Sequence, residues 1–125
     1  MAEAKRRKPL FWIGSSLEDL RGFPDDVKRV MVFALHFAQA GGRHVDAKLL
    51  KGFAGAGVLE VVEEQAGDAY RGVYTVRFAG AVYMLHAFQK KSKRGIKTPT
   101  KEIELIRERL KRAEEHYEHW RKEAG

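Results

Sequence analysis

The chain has 125 residues, a length typical of one domain and sufficient to bury a hydrophobic core. It has no cysteine, which excludes disulfides, thiolate metal sites and cysteine nucleophiles and fits a reducing compartment. No apolar run approaches the roughly 20 residues that span a bilayer, and the run after the Lys5–Lys8 cluster is too short for a signal peptide. We therefore expect a cytoplasmic protein.

The positive charge is concentrated in one segment. Between Gln89 and Arg112, ten Lys or Arg stand against three Glu, and this excess equals the net charge of the whole chain, +7. Such a local excess is typical of a surface that binds a polyanion, and RNA is the target we expect. The alternative is a solvated helix face that follows a flexible basic loop.

The N-terminal third predicts one strand and one short helix. The first eight residues carry few apolar side chains and are expected to be a flexible basic N-terminus, so that a single domain covers residues 9–125. The apolar run Leu10–Ile13 predicts the strand. Ser15 and Ser16 stand three residues before two acidic residues, which is the capping-box spacing and predicts a helix over Leu17–Arg21.

A second helix is predicted from Pro24 to the Gly41–Gly42 pair. Proline suits the first turn of a helix, and two aspartates follow it at the positive end of the helix dipole. The apolar residues recur at helical spacing and form one stripe that faces the core. They are Val27, Val30, Met31, Ala34, Leu35 and Ala38.

The second half predicts three strands and a last helix. Period-two alternation and turn compositions predict an antiparallel meander over Val58–Glu63, Tyr70–Phe78 and Ala81–Phe88. Thr98 as N-cap, followed by Pro99, begins the last helix. The predicted class is α+β, with a small antiparallel sheet, made of the N-terminal strand and the meander, packed with two N-terminal helices and a C-terminal helix.

Two arginines of the middle strand are candidates for phosphate binding. Alternation places Arg71 and Arg77 on one face of the strand, together with Val73 and Thr75. Because unpaired buried charge is costly, a face with two arginines is badly suited to a core, but it suits phosphate, which arginine binds in a bidentate manner. The alternative is a pair of ion pairs with Glu60 or Glu63 of the neighbouring strand.

The next strand carries His86, the only histidine within the predicted sheet, on one face with Val82, Met84 and Phe88. A structural role and a role in catalysis or RNA contact both remain open for this histidine. Further candidates for RNA contact are the cations that follow the strand and two lysines before the meander. They are Lys90, Lys91, Lys93, Arg94, Lys97, Lys48 and Lys51.

The residues favour a reaction that needs no cofactor. No metal-ligand spacing, Ser-His-Asp set or phosphate-binding glycine loop is present, so we expect no metal and no cofactor. In RNA scission the ribose 2′-hydroxyl attacks the adjacent phosphate, and cations can stabilise the charge that develops there. Like charge favours the neutral form of a lysine, so Lys90 or Lys91 is a candidate for proton transfer.

These segments resemble the RelE/HigB superfamily of toxins, especially its phage-derived HigB-like branch. The resemblance lies in Tyr70–Val76 and in Val82–Ser92, with its Leu-His-Ala-Phe-Gln-Lys-Lys run, and covers residues 9–112. Shorter matching pieces are Leu10–Ser16, Lys48–Gly52 and Lys97–Pro99. One departure is that Ser92 to Gly95 replace the tyrosine or histidine that many relatives carry after the last strand.

The resemblance implies a toxin of a type II toxin–antitoxin system, an mRNA interferase that cleaves mRNA, usually on the ribosome. By position, Arg71 matches the arginine that stabilises the transition state, and Lys90 matches the basic residue that ends the last strand. Lys48 and Lys51 fall where relatives direct cations toward RNA. The general acid and base are left open, with His86 or a lysine as candidates. The implied partner is an antitoxin, a HigA-like helix-turn-helix protein.

Two other functions fit the same residues. One is a toxin of the same fold that inhibits DNA gyrase by binding, as the related ParE branch does. The other is a phage-derived protein that binds nucleic acid without catalysis. The predicted pair of sheet arginines favours the ribonuclease over the gyrase inhibitor.

Overall fold

The computed structural model describes residues 7–90 and 98–124. This part of the chain forms a mixed α and β fold, so the predicted α+β class is confirmed. The strands are β1 (Leu10–Trp12), β2 (Lys48–Leu49), β3 (Val58–Gln65), β4 (Asp68–Thr75) and β5 (Val82–Lys90), and the helices are α1 (Ser16–Arg21), α2 (Asp25–Gln39) and α3 (Thr100–Ala124).

The strands form one sheet in the order β1-β5-β4-β3-β2. The predicted meander of β3, β4 and β5 is antiparallel, whereas β1 pairs with β5 in parallel. The edge strand β2, which pairs with β3, has only two residues. Strand patterns need several alternating residues, so a segment this short gives no periodic signal in the sequence.

The two faces of the sheet are covered by different helices. On one face α2 buries its apolar stripe, including Met31 and Leu35, against residues such as Tyr74 of β4. On the other face α3 packs Ile106 and Leu110 against residues such as Val73. The predicted alternation of the middle strand is therefore observed from Tyr70 to Thr75, with Arg71 and Val73 on the α3 face. β4 ends at Thr75, so the predicted extension of the strand to Phe78, which includes Arg77, is wrong.

A β-bulge interrupts β5. Its register with β4 shifts between the pairs Val73–His86 and Tyr74–Met84, which leaves Leu85 as the extra residue. An extra residue moves every later side chain of a strand to the opposite face. Sequence alternation cannot show such a shift, because the period on each side of the bulge is still two.

The bulge changes the surroundings of the histidine in β5. Val82 and Met84 pack with Ala87 in the cluster on the α2 face, whereas Phe88 packs on the α3 face. His86 stacks on Phe88, with 4.8 Å between ring centroids, and contacts α3. The prediction that His86 shares a face with Val82 and Met84 is therefore wrong, and the bulge places it under α3.

The last helix begins at Thr100, one residue later than a cap at Thr98 predicts. The backbone carbonyl of Pro99 accepts hydrogen bonds from the N–H groups of Glu102 and Ile103, and the first helical residue is Thr100. The Thr98 hydroxyl instead donates to Glu60 at 2.7 Å. The prediction of Thr98 as N-cap is wrong because its side chain bonds to the sheet and not to the helix.

The N-terminal segment enters the fold at Lys8. The N–H of Lys8 donates to the carbonyl of Gln39, and the Gln39 side chain donates to the carbonyl of Lys8. The predicted flexible N-terminus, residues 1–8, lies largely outside the described residues, which begin at 7. No helix in the described ranges is long and apolar enough to cross a membrane.

Candidate active site at the end of β5

Two open grooves meet where β5 ends, and we call them the α1 groove and the α3 groove. The α1 groove, of about 380 Å³, lies between β5 and α1, and its lining includes Asp19, Phe23 and His86. The α3 groove, of about 230 Å³, is lined by Phe88, Gln89, Lys90, Pro99, Lys101 and Glu102. Phe88 and Gln89 line both openings, so the two grooves adjoin in the surface at the end of β5.

His86 lies beneath this surface and is held from both sides. Its Nε2 is 3.3 Å from Glu102 Oε1, and its Nδ1 is 3.3 Å from Nη1 of Arg109. A guanidinium can only donate, so Nδ1 must accept and the ring proton must lie on Nε2, which donates to Glu102. The imidazole is therefore oriented with both nitrogens bonded inside the protein.

Burial lowers the pKa of His86, and the contact with Glu102 partly opposes this effect. The positive charge of Arg109 acts in the same direction as burial. Because the ordinary pKa is already below 7, a lowered pKa leaves this imidazole neutral at neutral pH. A neutral histidine that donates to this carboxylate fixes the position of the carboxylate.

Arg109 connects α3 to the start of α1. Its Nη1 donates to the carbonyl of Leu85 at 2.9 Å, and its Nη2 donates to the Ser15 hydroxyl at 3.2 Å. That hydroxyl donates to Asp19 at 2.7 Å. The guanidinium lies against Gly14, which has φ of 58°, and a Cβ there would lie 2.9 Å from the Arg109 Cζ. Glycine at this position therefore permits the contact.

Arg71 belongs to a second buried network, close to the same end of α3. Its side chain is 2% exposed, and Nη1 donates to Glu60 at 3.2 Å and to the Thr98 hydroxyl at 3.4 Å. The alternative reading of the sequence, an ion pair with Glu60, is thus observed. The expectation that this face is unsuited to a core is wrong for Arg71, because the carboxylate compensates the buried charge. Its catalytic role stays a prediction.

The remaining predicted cations are dispersed. Arg77 lies beyond the end of β4 and pairs with Glu114 of α3 at 3.3 Å, not with Glu63. Lys48 opposes Glu60 in the register of β2 and β3, and both Lys48 and Lys51 are exposed. Lys90 lines the α3 groove. Lys91, Lys93, Arg94 and Lys97 lie outside the described residues.

The structure thus adds two residues to the predicted set, Glu102 and Arg109. Arg109 had a signal in the sequence, because it follows Ile106 by three positions and falls on the buried stripe of α3. Glu102 had none, since an acidic residue is common in the first turn of a helix. Within the described residues, no group of three or more His, Asp or Glu is arranged to hold a metal ion.

Comparison with known proteins identifies one family. No curated protein and no solved structure gives a significant match. The family described as "Phage derived protein Gp49-like (DUF891)" matches residues 18–111, which is most of the chain. The matched range includes both buried networks of the candidate site, apart from Ser15. The chain therefore belongs to the Gp49-like family of phage-derived proteins.

Proposed function

We propose that this protein is the toxin of a type II toxin–antitoxin pair and cleaves mRNA on the ribosome as a metal-independent endoribonuclease. The observation that carries the proposal is the α3 groove, whose lining combines Glu102 with Lys90 and Lys101. Membership of a phage-derived family and the resemblance to RelE/HigB toxins support it. The strongly basic segment that follows β5 offers attraction to a polyanion.

This combination of groups suits phosphodiester cleavage by the ribose 2′-hydroxyl. The nucleophile is part of the substrate, so the protein has to orient it, remove its proton and stabilise the negative charge on phosphorus. A carboxylate can accept the proton, and lysine ammonium groups can stabilise the charge. Phe88, which is partly buried between the two grooves, adds an aromatic surface beside which a base can lie.

A second candidate is binding of nucleic acid without catalysis. The burial of Arg71 favours it, because a guanidinium bonded to Glu60 would have to leave that network to reach phosphate. Binding depends mainly on the number of cations near the backbone, whereas cleavage depends on where each cation lies. The two functions therefore differ in how they respond to single lysine substitutions.

The first prediction compares two exposed lysines of α3. Lys101→Met removes a cation from the α3 groove, and Lys111→Met removes one outside it. If each lysine contacts the RNA backbone, the slope of the logarithm of the RNA-binding constant against the logarithm of salt concentration becomes shallower by about one in each variant. Only Lys101→Met is expected to lower kcat for cleavage, by at least about 10-fold. The measurement is cleavage of a defined mRNA on purified ribosomes, with and without EDTA.

The outcomes separate the candidate functions. Cleavage that EDTA does not affect, and that depends on Lys101, agrees with the endoribonuclease. Equal loss of RNA binding in both variants, with no cleavage by the unmodified protein, would establish the binding protein instead. Growth arrest with intact mRNA and altered DNA supercoiling would point to gyrase inhibition.

The proposal includes an antitoxin, a HigA-like helix-turn-helix protein, and the α2 side offers it a surface. The large apolar side chains that are exposed in the described residues all lie between positions 32 and 49, with Phe33 at 58% and Phe37 at 48%. Leu49 opposes Leu59, which packs against α2, so Leu49 also faces that side. Grouped apolar exposure is typical of a protein interface.

Charge indicates the chemistry of this partner. Arg43 is exposed two residues before the exposed Val45, and the whole chain carries a net charge of +7, so a second copy of it would be repelled. An antitoxin that presents apolar residues flanked by Asp and Glu would be attracted. It would bind on the side of the sheet opposite the α3 groove.

The second prediction concerns this interface. A genomic library selected for restored growth supplies the antitoxin, and the double variant Phe33→Ser with Phe37→Ser is then tested against it. Because both rings are exposed, the variant is expected to fold and to arrest growth, but the antitoxin should no longer rescue the cells. Lys122→Ser, exposed on α3, is the control and should still be rescued. Full rescue of the double variant would exclude this surface.

A further inference from the structure

We propose that Glu102 is the general base of the cleavage reaction and that His86 and Arg109 are positioning residues that hold it in place. The inference rests on the proposed endoribonuclease function. It assigns the proton acceptor to a residue of α3 and not to the histidine or the lysines that the sequence suggested.

The position of Glu102 fits this role. Its side chain is 20% exposed, so one part is buried while another reaches the lining of the α3 groove. The buried part is defined by Oε1, which accepts the hydrogen bond from His86 Nε2. Glu102 lies in the first turn of α3, and the packing of Ile106 and Leu110 against the sheet holds this end of the helix in place. A carboxylate held through one oxygen keeps the other oxygen available to a substrate.

His86 is less suited to contact a substrate. Its side chain is 7% exposed, and both ring nitrogens already have partners in Glu102 and Arg109. To act as a base, Nδ1 would have to release the guanidinium, which itself bonds to the carbonyl of Leu85. Glu102 needs no such rearrangement. Glu102 therefore lies at the groove surface, His86 lies behind it, and Arg109 lies behind His86.

The reaction step balances with the groups of the groove. The 2′-hydroxyl gives its proton to Glu102, the 2′-oxygen forms a bond to phosphorus, and the bond from phosphorus to the 5′-oxygen breaks. The leaving 5′-oxygen takes a proton from a lysine ammonium of the same groove. The products are a 2′,3′-cyclic phosphate and a 5′-hydroxyl, and exchange with water returns both protein groups to their starting states. No oxidant or reductant is needed.

The test compares Glu102→Gln with Glu104→Gln, an exposed glutamate on the same helix. Glutamine keeps the shape of the side chain and can still accept a hydrogen bond from His86, but it cannot take a proton. We expect kcat to fall about 100-fold or more in Glu102→Gln and to change less than threefold in Glu104→Gln. The Kd for an RNA that carries 2′-O-methyl groups, and so cannot be cleaved, should be within threefold in all three proteins.

A third variant, His86→Asn, tests positioning. It should lower kcat with little change in the Kd for the 2′-O-methyl RNA, whereas a purely structural role would change both together through loss of folded protein. If Glu102→Gln does not fold, Glu102→Asp retracts the carboxylate and is expected to lose at least about 10-fold in kcat.

The outcomes separate this inference from the function on which it rests. Suppose that the unmodified protein cleaves RNA. If kcat of Glu102→Gln is then within threefold of the unmodified value, Glu102 is not the base. Where Glu102→Gln does not fold, the same criterion applies to Glu102→Asp. If the unmodified protein binds but does not cleave RNA on ribosomes, the proposed function itself fails, and the inference fails with it.

Discussion

Replacing Glu60 by alanine is expected to lower the free energy of unfolding by about 3 kcal/mol. The carboxylate accepts hydrogen bonds from Arg71 and from the Thr98 hydroxyl, at 3.2 and 2.7 Å. Arg71 is 2% exposed, so without Glu60 its charge remains buried and loses the carboxylate that compensates it. Urea unfolding at pH 7, followed by circular dichroism, measures the loss.

A double-mutant cycle separates the interaction energy between Glu60 and Arg71 from their interactions with other residues. Glu60→Leu combined with Arg71→Met removes both charges and should cost less than the sum of the two single substitutions, because no buried charge is left. Glu64→Ala, an exposed glutamate of the same strand, is the control and should change stability by less than about 0.5 kcal/mol. Additive effects of Glu60 and Arg71 would show that the ion pair makes no net contribution.

The contrast between Arg71 and its predicted role shows what strand alternation can establish. Alternation placed Arg71 on the correct face together with Val73 and Thr75, since side-chain direction follows from the period of the strand. It could not show that α3 covers this face, because that depends on long-range packing. The same pattern therefore fits an open phosphate site and a buried ion pair.

The candidate site itself was only partly predictable, for two physical reasons. The bulge at Leu85 turns His86 toward α3, and neither residue carries a composition that marks a bulge. The second reason is that the partners of His86 come from a helix that begins 14 residues later. Contacts across such a distance in the chain are set by tertiary packing, so sequence patterns could single out His86 but not its partners Glu102 and Arg109.

The predicted helices and the meander were recoverable because their signals are local. The apolar stripe of α2 from Val27 to Ala38 repeats at helical spacing over more than three turns, and all but Val30 of its predicted members are buried. The turns between the strands of the meander have compositions that specify hairpins. Local signals of this kind predict individual helices and strands, whereas the arrangement of the candidate site depends on contacts between them.

Arg109→Met is expected to lower the free energy of unfolding by about 2 kcal/mol, because the carbonyl of Leu85, His86 Nδ1 and the Ser15 hydroxyl lose their donor. The same substitution should raise the pKa of His86. Burial remains the main cause that lowers this pKa, but the repulsion from the guanidinium, which also lowers it, is gone. Methionine keeps most of the side-chain volume, so the burial of the ring is maintained.

Glu102→Gln should move the pKa of His86 in the opposite direction. It removes the carboxylate, whose hydrogen bond and charge both raise the pKa of the ring, and leaves only the smaller effect of Asp19 to oppose burial and Arg109. NMR titration of the His86 ring should give a higher pKa in Arg109→Met and a lower pKa in Glu102→Gln than in the unmodified protein. Glu104→Gln should leave the titration unchanged. Shifts of the same sign in both variants would contradict the arrangement in which Arg109 and Glu102 act on the ring from opposite sides.

The lowered pKa of His86 also sets the pH dependence of stability. In the unfolded chain the ring takes a proton near its ordinary value of 6.5, whereas the folded protein resists protonation until a lower pH. The contribution of His86 to stability is therefore complete above pH 6.5 and is lost as the pH falls from there through the folded pKa. Arg109→Met brings the folded pKa of His86 closer to the unfolded value, so the loss of stability between pH 7 and pH 5 should be smaller. Glu102→Gln moves the two pKa values further apart, so this loss should be larger. Urea unfolding of the three proteins at both pH values decides the point, and equal losses in all three would mean that another group governs stability in this range.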